Sequence, residues 1–365
     1  YEWMVVHAAC LFSGATVVPL DVNLNVDDIA RRLKFAGVEI LIHSALYQEK
    51  AGDAAERLPG LVTGGFGSRK TDFFIAAATT ALRMLSTSVW DRPSVDCERT
   101  ATMVFTSGTT SEPRGVELPI KAIETFVRSS EISVPMNVGD CSLMLLPLHH
   151  IYGICATYAM LVRGVALGVC PDFRRIYDAF ERFRANFAFL VPALADILAA
   201  KIEQRGKSAE EALGQPISWI VTGGAPLARR TYERLTALGV KTMCAYGLTE
   251  TCACYSMSNA DDAPHPCSAG KVSQLPEVET KVSAEGELLI RGPNVMKGYY
   301  KMPERTAKAI DPEGWFHTGD RGTIDADGYV WVTGRASRTI VLSSGKKIAP
   351  EELEDKLLSL PGDLE

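Results

Sequence analysis

Two textures of apolar and polar positions divide this chain. Up to about residue 270, short apolar runs alternate with longer amphipathic stretches. Val17-Val18-Pro19-Leu20, Ile40-Leu41-Ile42, Met103-Val104-Phe105, Leu143 to Leu146, Phe189-Leu190-Val191, Ile220-Val221 and Met243-Cys244-Ala245 predict strands, each followed by turn or helix signals. Such alternation predicts parallel sheets covered by helices. Asn25-Val26-Asp27-Asp28-Ile29 supplies a polar start for a helix through Phe35, and Gly37 stops it. From about Val278 the pattern changes to strands joined by tight turns: Glu279 to Val282, Glu287 to Ile290, Gly322 to Ile324, and Tyr329 to Val332. Asp325-Ala326-Asp327-Gly328 is a hairpin signal. The expected fold class is α/β: two α/β layers followed by a small β-barrel or meander. No internal repeat interrupts this order.

Composition narrows the classes that remain. At 365 residues, 47% hydrophobic and 22% charged, the chain can bury a substantial core and divide into more than one domain or subdomain. A net charge of −6 argues against a nucleic-acid surface and leaves an anionic ligand dependent on local cations. The longest apolar stretch, Ile151 to Val162, lies between His149-His150 and Arg163 and is too short to span a bilayer. No signal peptide is visible. The cysteines number nine and sit mostly among apolar neighbours, as in Ile154-Cys155-Ala156, which predicts reduced, buried thiols in the cytoplasm. Cys252-x-Cys254 with Cys267 lacks a second ligand pair at zinc-finger spacing, so buried thiols are favoured over a metal there.

The densest chemistry lies in Thr106-Ser107-Gly108-Thr109-Thr110-Ser111-Glu112-Pro113-Arg114-Gly115. Glycines let successive N–H groups turn toward one anion, hydroxyls add donors, and an Arg supplies a planar charged fork, which is what polyphosphate binding requires. The preceding run, Ala101 to Phe105, predicts a buried strand delivering this loop to a sheet edge. The order differs from G-x-x-x-x-G-K-[ST], which counts against a kinase-like or GTPase-like reading. In isolation, a Ser/Thr-rich turn with a solvated Arg would read the same way.

T-S-G-T-T-x-x-P-R-G resembles the phosphate loop of the adenylate-forming superfamily, in its acyl-CoA synthetase branch. Further matches follow in order: Tyr246-Gly247-Leu248-Thr249-Glu250, Gly314-Trp315-Phe316-His317-Thr318-Gly319-Asp320, Gly334-Arg335, and Gly345 to Glu354. The resemblance runs from Tyr1-Glu2-Trp3 through Glu354, while Gly60 to Cys97 match no motif. It implies a large N-terminal adenylation domain over residues 1–334. Two α/β subdomains would reach about residue 270 and a β-rich subdomain would cover about 271–334. A hinge and the start of a small C-terminal lid would occupy 335–365.

The resemblance also implies roles. Thr106, Ser107, Gly108, Thr109, Thr110, Arg114 and Gly115 would hold the β- and γ-phosphates of ATP. Glu250 would bind Mg²⁺ and Thr249 would hydrogen-bond the α-phosphate. Tyr246 would face adenine, with Gly223-Gly224-Ala225 along the base edge, and Gly247 would belong to the same nucleotide site. Asp320 would accept from the ribose hydroxyls, and Arg335 would sit over ribose or phosphate near the domain change. His150, in Pro147-Leu148-His149-His150-Ile151-Tyr152-Gly153, would stand at the wall of the acyl site. Catalytic roles would fall to Thr106, Arg114, Thr249, Glu250 and His150. An amino-acid substrate calls for an Asp near His150 to pair its ammonium; this segment has none, so an uncharged tail such as a fatty acid is expected. Ile154 to Leu161 reads equally as an acyl tunnel wall or as ordinary core.

The implied reaction joins a carboxylic acid to AMP with release of pyrophosphate, followed by thioester formation with CoA. An acyl carrier protein is the alternative acceptor, and a non-catalytic nucleotide-binding module is the alternative of another class. Departures from the family pattern are Arg114 where Lys is usual, and Ala336-Ser337-Arg338 after Gly334-Arg335, with Arg338 as the candidate hinge. The lid, with a lysine serving the adenylation step, would continue past Glu365. The chain alone is therefore expected to bind ATP and adenylate poorly.

Overall fold

A computed structural model describes residues 2–66, 96–106, 113–170, 172–206, 208–258, 265, 268–336, 340–341 and 347–348. The chain forms two compact units, one of Tyr1–Lys121 with Met296–Pro303 and one of Ala122–Val295 with Glu304–Glu365.

The first unit begins with α1 (Glu2–Ser13) and α2 (Val26–Ala36). Asn25 caps α2 by accepting the Asp28 N–H at 2.8 Å, and Gly37, at φ +66°, turns the chain out of it, as the sequence predicts. β1 (Ile40–Ser44), α3 (Gln48–Glu56) and β2 (Val62–Phe66) make a parallel βαβ unit. Its small core gathers Ile29, Leu33 and Ala54. β3 (Thr100–Thr106) and β4 (Arg114–Pro119) follow, and here two expectations are corrected. These strands pair antiparallel, so the phosphate-loop motif is a hairpin connection, not the exit of a parallel strand. Val17 to Leu20 is not a strand: Val17 makes one isolated parallel bridge to Thr102. Pro19 has no N–H with which to extend that bridge into a ladder.

The second unit opens with most of α4 (Ile120–Ser133) and is built on a seven-stranded sheet. β5 (Cys141–Met144), β6 (Ala166–Val169), β7 (Phe187–Leu190), β8 (Trp219–Thr222) and β9 (Lys241–Tyr246) are parallel in the order β6-β5-β7-β8-β9. β5 stops at Met144, short of the predicted Leu146, ahead of Pro147, which biases the preceding residue and offers no N–H. α5 (Ile151–Val162), α6 (Ile176–Phe183), α7 (Pro192–Glu203), α8 (Ala209–Leu213) and α9 (Arg229–Ala237) fill the crossovers. All four residues of β8, Trp-Ile-Val-Thr, are buried, as a central parallel strand covered on both faces requires. Phe180, Leu190, Leu198, Ile220 and Leu235 lie in one core beneath it.

β10 (Ser256–Met257) and β11 (Lys271–Val272) extend the sheet antiparallel beyond β9. β12 (Glu279–Val282) and β13 (Glu287–Arg291) then start a separate four-stranded antiparallel sheet. β14 (Gly298–Tyr299) belongs to the first unit, where Gly298 pairs with Glu117 of β4. After α10 (Pro303–Ala309), β15 (Phe316–Ile324) and β16 (Val330–Arg335) complete the four-stranded sheet in the order β12-β13-β15-β16. Asp325 closes the predicted hairpin, its Oδ1 accepting the N–H groups of Asp327 and Tyr329 at 3.0 and 2.9 Å. The hinge candidate Arg338 and the Glu351 to Glu354 motif lie outside the described residues.

Candidate active site

The carboxyl ends of β7, β8 and β9 lie side by side, with Leu190, Thr222 and Cys244 in register. Open α/β sheets bind ligands at that edge. Gly223-Gly224-Ala225 leaves β8 there, and Tyr246-Gly247 leaves β9. At Gly223 a Cβ would sit 3.2 Å from Tyr152 Cζ and 3.3 Å from the Ala245 carbonyl oxygen, so a larger residue would displace the Tyr152 ring. Gly224, at φ +84°, and Ala225 are exposed at the edge. The residues expected along an adenine are thus brought to one rim.

Thr249 and Glu250 form one 3₁₀ turn with Thr251. Thr251 Oγ1 accepts the Leu248 N–H at 3.0 Å, closing the entry to the turn. Its exit is left-handed at consecutive non-glycine residues, Cys252 (φ +52°) and Ala253 (φ +58°). Each such residue costs about 1–2 kcal/mol, so the surroundings must hold them. The Ala253 N–H donates to the Leu248 carbonyl at 2.8 Å, and a Cβ at Gly247 would meet Ala253 C at 2.3 Å. Gly247 is therefore required by the turn that follows it, a reason separate from any contact with a base. Asn294, fully buried, clamps the same turn by donating Nδ2–H to the Cys254 carbonyl at 2.7 Å. Sequence reasoning missed Asn294; its only signal is a polar residue inside the apolar Pro293-Asn294-Val295-Met296.

Tyr246, Asp320 and Arg335 converge. The Tyr246 hydroxyl donates to Asp320 Oδ2 at 2.5 Å, and Arg335 Nε lies 2.9 Å from Asp320 Oδ1. Asp320 and Arg335 are opposite partners on β15 and β16, so the sheet register sets the ion pair. Burial, and then the neighbouring Asp320 carboxylate, push the Tyr246 phenol well above its ordinary range, which keeps it a donor. Asp320 is buried, at 4% exposure, and a buried carboxylate needs such partners.

His150 starts α5 as its N-cap residue, exposed, with its ring 4.3 Å from that of His149. The helix it opens is buried along Ile154, Cys155, Ala156 and Ala159. Cys155 Sγ faces Cys252 Sγ at 3.5 Å, and the eight described cysteines are all free thiols.

Thr106, Arg114 and Gly115 belong to the first unit; Ser107, Gly108, Thr109 and Thr110 lie outside the described residues. Thr106 and Arg114 are register partners that bracket the loop. Thr106 Oγ1 and Arg114 Nε are both buried without a hydrogen-bond partner. Unpaired buried polar atoms are uncommon because each costs about 1–3 kcal/mol. Donors left idle at both ends of a Ser/Thr/Gly loop fit a polyanion. A Cβ on Gly115 would stand 2.6 Å from Met103 Sδ, so this glycine serves close strand packing.

Among the described residues, no three His, Cys, Asp or Glu side chains gather as a metal cluster. A hard cation that keeps its waters needs few protein oxygens, so the single carboxylate expected to serve one, Glu250, is compatible with that absence.

The sequence profile of the AMP-binding enzymes matches residues 1–300. The chain belongs to this family. The resemblance to adenylate-forming acyl-CoA synthetases is thereby borne out, and relatives place this AMP-binding enzyme in similar company. It is 27% identical over 376 residues to the long-chain-fatty-acid–CoA ligase FadD13 of Mycobacterium tuberculosis, covering 98% of this chain and 71% of that protein. With the 2-succinylbenzoate–CoA ligase of Geobacillus kaustophilus it shares 29% identity over 371 residues, covering 98% and 69%. The fold matches that of ATP-bound MatB from Rhodopseudomonas palustris with a TM-score of 0.82 at 24% identity, over 99% of this chain and 71% of that one. Among the described residues, no helix of this AMP-binding enzyme is long and apolar enough to cross a membrane.

Proposed function

We propose that this protein activates a carboxylic acid with ATP, forming acyl-AMP and pyrophosphate, and passes the acyl group to the thiol of CoA. The observation that carries this reading is the pair of idle buried donors, Thr106 Oγ1 and Arg114 Nε, at the two ends of the Thr106 to Gly115 loop. Attack of a carboxylate on the α-phosphorus builds charge on the leaving pyrophosphate, and fixed donors that meet this charge lower the barrier. Thr106 and Arg114 would hold the β- and γ-phosphates. Thr249 would donate to the α-phosphate, and Asp320 would accept from the ribose hydroxyls. Tyr246 would keep its ring for adenine and its hydroxyl for Asp320. Glu250 would hold Mg²⁺, which, when bound, neutralises phosphate charge.

A fatty acid is the proposed substrate class. No carboxylate stands in Pro147 to Gly153 to pair a substrate ammonium, and α5 behind His150 is apolar. The FadD13 similarity supports the same choice. The domain division at about residues 270 and 334, with a lid beyond, belongs to this proposal.

The test is acid-dependent exchange of pyrophosphate into ATP by the full-length protein, with Mg²⁺, against fatty, aryl and amino acids. Exchange with fatty acids and thioester formation with free CoA are expected. ATP binding with no exchange across the panel would leave a nucleotide-binding module instead. Transfer to a carrier protein but not to CoA would replace the acceptor.

A further inference from the structure

Asp320 does not project from a regular strand. Leu289 of β13 faces His317 of β15, yet Glu287, two residues earlier, faces Arg321. Thr318, Gly319 and Asp320 therefore form a bulge, with Gly319 left-handed at φ +72°. Bulges re-aim side chains, but they give up ladder hydrogen bonds and need replacements. Thr318 Oγ1 supplies two, donating to the Leu288 carbonyl at 2.7 Å and accepting the Asp320 N–H at 3.0 Å. Glu287 supplies a third. Its Oε1 accepts the Gly319 N–H at 2.8 Å, and its Oε2 lies 3.0 Å from His317 Nδ1. The far side of that imidazole, Nε2, is 3.8 Å from Asp311 Oδ2. Asp311 is itself held by the N–H groups of Glu313 and Trp315, both at 2.9 Å.

We infer that Glu287 is a positioning residue for nucleotide binding: its carboxylate closes the β15 bulge at Gly319 and so aims Asp320 at the ribose. This rests on the ribose role proposed for Asp320. Glu287 touches no nucleotide in this scheme. A side chain serving stability alone would weaken binding of every nucleotide equally or not at all. A side chain that aims the ribose acceptor must instead matter only when a ribose hydroxyl is present to be accepted.

The experiment is calorimetric titration of the full-length protein with ATP, 2′-deoxy-ATP and 3′-deoxy-ATP, comparing wild type, Glu287→Met and Glu287→Gln. Met matches the length and offers no strong acceptor; Gln keeps one acceptor oxygen for Gly319. Wild type is expected to prefer ATP over at least one deoxy analogue by about tenfold, the worth of one hydrogen bond to a charged group. Glu287→Met is expected to lose that preference by weakening ATP while leaving the analogue that wild type discriminates against unchanged, and Glu287→Gln to keep most of it. Should Glu287→Met not fold, His317→Phe, which removes one partner of Glu287, is expected to reduce the preference about threefold. A folded Glu287→Met or, in its place, His317→Phe protein with wild-type discrimination overturns the inference. So does a wild type that binds all three nucleotides equally. A wild type that binds no ATP overturns the proposed function itself and is recognised before any variant is compared.

Discussion

The Tyr246 hydroxyl and the Asp320 carboxylate meet at 2.5 Å, joining the end of β9 to the bulge in β15. A residue expected only to stack on a base thus also holds the residue expected to bind the sugar. Replacing Tyr246 by Phe keeps the ring and removes the donor. The expected result is a KM for ATP raised about tenfold with kcat changed by less than about twofold, since the lost contact supports binding rather than the reacting phosphorus. Steady-state exchange kinetics on Tyr246→Phe decide this; an unchanged KM would separate the two residues functionally.

Thr106→Val should move stability and activity in opposite directions. The buried Thr106 hydroxyl has no partner, so an isosteric methyl removes an unmet desolvation cost of about 1 kcal/mol. The same change deletes a phosphate donor, and exchange activity is expected to fall about tenfold or more. Urea unfolding and exchange rates on one preparation check both signs. A destabilised variant would mean the hydroxyl is satisfied in solution.

Acid should weaken the first unit through His7. Burial lowers this imidazole from 6.5 to about 4, and its Nε2 lies 3.0 Å from Thr102 Oγ1. The unfolded chain takes up the proton at 6.5 while the folded chain resists it to about 4, so stability is full above 6.5 and is lost as pH falls through that window. Between about pH 7 and pH 5 this group contributes ~2 kcal/mol of the decline. Urea midpoints at the two pH values should draw closer together in His7→Gln, which carries no titrating ring. Equal declines in both proteins would count against a buried neutral His7.

Arg184 ends α6 in the left-handed region at φ +51°, and it is exposed. Glycine adopts that conformation without the Cβ penalty, but gives up more freedom on folding. The balance favours Arg184→Gly by roughly 0.5–1 kcal/mol. A thermal melt without a rise would show that the arginine makes contacts that offset its strain.

Local features were the legible ones. The Asn25 cap, the Gly37 stop, the Asp325 hairpin and the central parallel strands follow from residue types a few positions apart. What escaped depends on partners far along the chain. β4 reads as the tail of a phosphate loop until Thr106 and Arg114 are seen as register partners, and its other neighbour, Gly298–Tyr299, pairs with Glu117 and Val116 from far along the chain. Tyr246 and Asp320 are 74 residues apart, and no periodicity announces that this phenol will donate to this carboxylate. Asn294 and Glu287 likewise act on loops distant in sequence. The motif residues themselves could be named because each motif is a contiguous run; their supports could not.

The bulge in β15 has a consequence for length variation. It accommodates an even number of extra residues, so burial alternates without interruption through Phe316, Thr318, Asp320 and Gly322. Excising Thr318 or Gly319 alone would swap inside for outside along the remainder of β15, throwing Asp320 to the opposite face. Excising a pair would erase the bulge yet leave every later side chain on its own face. Natural length changes in this segment should therefore come in twos.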